Sequence, residues 1–292
     1  MKDYPVENIR NIAIVGHGSS GKTSLTSAML FDVGATTRFT KVDKGNTVTD
    51  YDPDEIERNI SINSTLCHCE WKDHKFNIMD CPGYSNFLWD TRTSLRAVDA
   101  GVLVVCSIAG VEVGTEKAWA MFEEFELPYM FVINKLDREN SNFKRTVDSI
   151  HEFFGRQAVP VQIPIGSEAN FRGVVDLINK KAYEFDKNES GKMSEIDIPE
   201  DLKEEAQKKI EELTEMVAEN DELLMEKYFE NGKLSSEELI SGLKKSIIER
   251  QFIPIYMVSA LTNIGIQPLL DSMANFFPSP LFREEIKSEE GI

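Results

Sequence analysis

The eight residues Gly16-His-Gly-Ser-Ser-Gly-Lys-Thr23 constrain this chain more than any others. They fit G-x-x-x-x-G-K-[ST], follow the apolar run Asn11 to Gly16, which reads as a strand, and open the helical pattern Gly21 to Phe31. A loop of this kind is a phosphate cradle. Gly16, Gly18 and Gly21 let the backbone wrap, so that N–H groups from His17 through Ser19, Ser20 and Ser24 point inward and the helix N-terminus adds its positive dipole end. Lys22 is then placed to reach β and γ phosphates, and the Thr23 hydroxyl to bind Mg²⁺. His17, at the lip of the loop, reads as a packing and hydrogen-bonding residue.

The rest of the first half supports that placement. Short apolar runs at Phe76 to Asp80, Gly101 to Cys106 and Tyr129 to Asn134 alternate with helical patterns at Asn86 to Ala97, Thr115 to Phe125 and Phe143 to Phe154. This βαβ rhythm predicts an α/β fold, a P-loop nucleotide-binding domain with a mostly parallel sheet flanked by helices. Ser61 to Trp71 alternates apolar and polar residues just ahead of Phe76, which predicts an antiparallel hairpin pair.

After about residue 165 the composition shifts. From Glu184 to Arg250 there are 20 acidic against 10 basic side chains, so this stretch carries -10 of the formal charge of -18. Leu202, Ala206, Ile210, Leu213 and Val217 recur at helical spacing, as do Leu239, Leu243 and Ile247 behind a Ser235-x-x-Glu238 capping box. The block reads as an inserted α+β subdomain at 167–251. A strand at Ile253 to Val258 and a helix at Ile266 to Phe276 then return to the main domain, expected at 1–166 and 252–280. So acidic a chain argues against gripping bare nucleic acid through its phosphates. No apolar run is long enough to span a bilayer, which predicts a cytoplasmic protein without membrane contact. The four cysteines lack paired metal-ligand spacing and read as small reduced hydrophobes.

Two further motifs choose the ligand. Asp80-Cys81-Pro82-Gly83 ends a strand where a nucleotide-hydrolysing enzyme needs a carboxylate to hold its metal through water, and Gly83 offers an unobstructed N–H to a γ-phosphate. Asn134-Lys135-Leu136-Asp137 leaves the strand at Tyr129 to Ile133. The Asp137 carboxylate can accept from guanine N1–H and its 2-amino group, a donor pair adenine lacks. Asn134 can tie this loop to the phosphate loop, with the Lys135 stem along the base. Ser259-Ala260-Leu261 follows the last strand, and the Ala260 N–H is expected to meet guanine O6. The order of these motifs selects GTP and GDP over adenine nucleotides.

On these residues the chain resembles translational GTPases, specifically the G domain of elongation factor G. The likeness extends to Glu57-Arg-Asn-Ile-Ser-Ile62, to Asp80 through Phe87, to the closing Gly265-Ile-Gln-Pro-Leu-Leu270 and Phe277-Pro-Ser-Pro280, and to the extra subdomain. The resemblance implies that residues 36–60 form switch I, that Ser61 joins Thr23 and Asp80 at Mg²⁺, and that residues 281–292 begin a linker to a second domain not contained in this chain. It also implies a ribosome partner, with nucleic acid met only through it and the acidic helices placed to meet a basic stalk protein, and a monomeric isolated domain. Where the family usually carries aspartate in the phosphate loop this chain has Ser19, Asn59 and Ser61 replace glycine and threonine, and Tyr84 stands in place of histidine; in these respects it is similar to a divergent second branch of the family. A tyrosine phenol carries no positive charge, so Tyr84 with Lys22 and Gly83 predicts hydrolysis slower by roughly 10- to 1000-fold than with histidine. Two functions remain open at this stage: a ribosome-stimulated GTPase driving translocation or a related step, and a GTP-dependent ribosome-binding switch with little productive hydrolysis.

Overall fold

The computed structural model describes residues 2–283, so the expected linker from residue 284 onward lies outside the described residues. Eleven strands are described: β1 Ile9–Gly16, β2 Thr65–Trp71, β3 His74–Asp80, β4 Ala100–Cys106, β5 Tyr129–Asn134, β6 Ala158–Pro160, β7 Gln162–Ile165, β8 Gly173–Asp176, β9 Lys181–Phe185, β10 Met193–Ile196 and β11 Ile253–Met257. Interleaved with them are α1 Lys22–Asp32, α2 Pro53–Arg58, α3 Leu88–Leu95, α4 Val113–Glu124, α5 Phe143–Phe154, α6 Lys203–Glu219, α7 Glu222–Asn231, α8 Ser236–Ile248 and α9 Ile266–Phe276.

The main sheet runs β2-β3-β1-β4-β5-β11-β6. All its pairings are parallel except β2 with β3, which form the expected hairpin. Every residue of β4, β5 and β11 is buried, because helices cover both faces; β2 at the edge alternates instead. After β1 the chain builds outward to β3 and β2, then crosses to β4 on the other side. The crevice at such a reversal opens at the carboxyl end of β1, where the glycine-rich loop lies.

A second, fully antiparallel sheet has the order β10-β9-β8-β7 and takes its first strand from residues 162–165. Helices α6 and α8 cover it, burying Ala206, Ile210, Leu213 and Val217 on one and Leu239, Leu243 and Ile247 on the other. The Ser235–Glu238 capping box forms at the start of α8. Helix α7, begun by the Asp221 side chain and stopped by Gly232 in the left-handed region, buries none of its residues. One apolar cluster runs from Ile12 and Leu25 in the main domain through Val161 and Ile163 to Leu213 and Leu243, so the two layers share a core.

The turn between β9 and β10 reaches back to the main domain. Lys41 Nζ lies 2.9 Å from Glu189 Oε1, Gln267 donates to the Gly191 carbonyl at 2.9 Å, and Asn263 donates to the Glu189 carbonyl at 3.4 Å. At the other end Arg283 donates to the carbonyls of Arg96 and Val98, so the described start of the expected linker folds back on the domain.

Candidate functional site

A cavity of about 460 Å³ opens at the crevice predicted by the strand order, walled by the glycine-rich loop, Phe39 to Asp43, Asp50, Asn59 to Ser61, Gly83 and Tyr84 after β3, and the loops after β5 and β11. Gly18, Ser19, Gly21, Lys22, Thr23 and Ser24 line its phosphate end. Gly21 sits in the left-handed region at φ 95° and hands the chain to α1, whose first residues Lys22, Thr23 and Ser24 line the cavity and whose first amides have no partner within the helix. Lys22 is buried and donates to the His17 carbonyl at 2.9 Å. Burial outweighs the attraction of Asp80 and lowers its ammonium to about 8. Gly83 packs against this loop so closely that a Cβ there would lie 2.3 Å from Lys22 Nζ and 2.5 Å from the Gly16 carbonyl. Only glycine brings its backbone to that spot.

Beside Lys22 several oxygen atoms converge. The hydroxyls of Thr23 and Ser61 are 3.0 Å apart, and Thr49 donates to Asp80 Oδ2 at 2.6 Å. Asp80 Oδ1 is buried with no hydrogen-bond partner. Burial, with nearby Asp50, lifts the Asp80 carboxyl to about 6, and burial also raises Asp50. Two desolvated carboxylates, one with an unmatched buried oxygen, and two hydroxyls fit a hard divalent cation such as Mg²⁺. Glu55, buried in α2, holds Ser61 in range by accepting from the amides of Ile62 and Asn63 at 2.9 and 3.1 Å. Asn59 takes the left-handed region at φ 54° just before, a conformation asparagine tolerates where glycine would be the usual choice.

At the opposite end the loops after β5 and β11 are knotted by one side chain. Asn134 donates to the Ser20 carbonyl at 3.0 Å and accepts from the amides of Lys135 at 2.8 Å and Ala260 at 3.0 Å. The Ala260 N–H expected at a guanine oxygen is therefore engaged by Asn134, although Ala260 and Leu261 both line the cavity. Thr262 donates to Ser259 Oγ at 2.6 Å, and Ser259 donates to Asp137 Oδ1 at 2.6 Å, which fixes the carboxylate's direction. Lys135 donates to the Ser19 carbonyl at 2.5 Å and lays its stem along the wall between the two ends.

Three expected ligand residues point elsewhere with their side chains. His17 accepts from the Gly114 amide at 3.2 Å and lies 3.4 Å from Glu112, so it braces the loop against α4. The Cys81 thiol is buried in the core beneath the main sheet, and Pro82 contributes its carbonyl to Thr91 at 2.8 Å. Tyr84 lines the cavity, with its ring over Gly18 and its hydroxyl 3.0 Å from that of Ser19. Conversely Thr49, Asp50 and Glu55 were not singled out in the sequence. They lie in an aperiodic stretch where only the distant partners Asp80 and Ser61 give them meaning.

Most of the chain matches known proteins. The profile of the elongation factor Tu GTP binding domain matches residues 7–279. A crystal structure of a Thermus thermophilus protein superposes with a TM-score of 0.88 at 32% identity, covering 94% of this chain. The matched region is 41% of that longer chain, so this chain spans less than half its length.

Proposed function

Because the chain belongs to the elongation factor Tu GTP binding domain family, and so is a GTP-binding hydrolase domain of elongation-factor type, we propose that it serves an elongation factor G-like factor of the divergent second branch, hydrolysing GTP slowly and under stimulation by the ribosome. The observation that carries this reading is a continuous cavity with Lys22, Thr23 and Ser61 at one end and Asn134 with its loop at the other. In this reading residues 167–251 are the inserted subdomain, the domain works as a cytoplasmic monomer, and its acidic helices face a basic stalk protein.

The chain's own groups divide the work. The amides at the start of α1 and the Lys22 ammonium hold the β and γ phosphates, while the Gly83 N–H meets the γ-phosphate. Thr23 and Ser61 would ligate Mg²⁺ directly and Asp80 through water; the ion supplies charge neutralisation to the phosphates. Asp137, oriented by Ser259, accepts from N1–H and the 2-amino group of guanine. Tyr84 can orient a water with its hydroxyl but offers no positive charge to the transition state, hence the slow step.

Titration with mant-GDP and mant-ADP tests the first half of the reading: guanine binding at micromolar level with no adenine binding is expected, and equal uptake of both refutes it. Single-turnover GTP hydrolysis by the longer protein with and without ribosomes tests the second. No acceleration at saturating ribosomes would leave a nucleotide-dependent binding switch in place of a ribosome-stimulated enzyme.

A further inference from the structure

Ser19 and Tyr84 lie 65 positions apart in the chain, yet their hydroxyl oxygens are 3.0 Å apart and share a hydrogen bond. Three details make this a built contact. The phenol ring lies flat on Gly18: a Cβ added to that glycine would meet three ring atoms at 2.9, 2.9 and 3.0 Å, so any other residue there lifts the ring. Ser19 is itself held in the left-handed region at φ 65°, with its carbonyl taken by Lys135 Nζ at 2.5 Å, which aims its side chain outward at the phenol. Tyr84 finally caps the short turn Ser85–Phe87 that leads into α3, its carbonyl accepting the Phe87 amide at 2.9 Å. The tip of the ring is thus fixed to the phosphate loop and its backbone to the turn that leads into α3.

We propose that the Tyr84 and Ser19 hydroxyls form a latch that holds the Gly83–Phe87 turn over the phosphate end of the cavity and slows escape of a bound guanine nucleotide. Tyr84, Gly18 and Ser19 all line that end, so the joined pair closes one side of it. The inference rests on the guanine-nucleotide reading above and adds to it a role for Ser19, which otherwise touches no reacting atom. Opening breaks one solvent-accessible hydrogen bond, which sets the expected effect at about 2- to 10-fold in rate.

The test is a double-mutant cycle on dissociation of mant-labelled non-hydrolysable GTP, measured by stopped flow. Tyr84→Phe keeps the ring on Gly18 and removes only the hydroxyl; Ser19→Ala removes its partner and leaves the carbonyl to Lys135. Each single variant is expected to accelerate dissociation about 2- to 10-fold, and the double variant no more than either single. Singles that leave the rate unchanged, or a double variant whose acceleration is the product of the two, overturn the latch while leaving nucleotide binding intact. Failure of the unsubstituted protein to bind the labelled nucleotide would instead bring down the functional reading and the latch with it. Both positions are partly exposed, so thermal unfolding of the variants should match that of the parent, and a shift of more than a few degrees would reassign the pair to a purely structural role.

Discussion

Replacing Asn134 by alanine should strike stability and nucleotide binding together, because this one amide joins three loops. The amide donates to the Ser20 carbonyl at 3.0 Å and accepts from the Ala260 amide at 3.0 Å, and Asn134, Ser20 and Ala260 are each 1% exposed. Truncation therefore strands one buried acceptor and one buried donor, at about 1 to 3 kcal/mol each. The third partner, the Lys135 amide at 2.8 Å, sits at a partly exposed turn where water can replace the side chain, and adds about 1 kcal/mol or less. The sum is about 2 to 7 kcal/mol, a large share of the roughly 5 to 15 kcal/mol that holds a domain folded. Urea unfolding followed by circular dichroism should show the midpoint falling with little change in slope. Since the phosphate loop and the base loop lose their common anchor, mant-GDP affinity should fall by at least about 100-fold as well. If the variant unfolds within about 1 kcal/mol of the parent, the amide is a bystander and the argument that it knots the loops fails.

Other outcomes follow from the same structure. Asp137→Asn exchanges an acceptor for an amide that can donate, so GTP affinity should drop by about 100-fold while xanthosine triphosphate, which carries an oxygen where guanine has its 2-amino group, becomes the better ligand in competition titrations. Glu55→Ala releases the amides of Ile62 and Asn63 and should loosen switch I; trypsin cleavage after Arg58 should then accelerate about 10-fold or more, and an unchanged rate would show that Ser61 is held by something else. Burial lifts the folded-state Asp32 carboxyl to about 6 from 3.8. A raised carboxyl contributes its stability below about pH 4 and loses it as pH rises through about 6. Relative to Asp32→Asn, the parent should therefore lose up to about 3 kcal/mol between pH 4 and pH 7, read from denaturation midpoints at each pH.

Much of this architecture was readable from residue order because the responsible forces are local or periodic. β5 and α5 begin and end where the apolar runs predict, and β4 and β11 agree to within one residue at each end. Strands sealed on both faces leave unbroken apolar runs, and α5 buries Thr146, Val147, Ile150 and Phe154 along one stripe. Helix α7 escaped notice for the converse reason: its inner side, Leu224, Met225 and Tyr228, is only half-buried while Leu223 and Phe229 are exposed, so its apolar residues mark no single face. The short strands β7 to β10 run only four or five residues and gain identity from one another, not from their own composition. At the site, glycine and lysine spacing located the phosphate loop, but spacing cannot show that the Ala260 amide is spent on Asn134, that Thr49 orients Asp80, or that Ser19 meets Tyr84. Those are contacts between segments tens of positions apart, decided by how the loops close on one another.

The turn between β9 and β10 carries an implication for anyone seeking a smaller version of this domain. Its residues Glu189 and Gly191 give Lys41 and Gln267 their partners, at the rim of the cavity and beside the loop that follows β11. Excising the second sheet would leave those side chains without counterparts and expose the flank of Asn263, so the insertion cannot be lifted out like a detachable cartridge; its host has borrowed part of it as masonry.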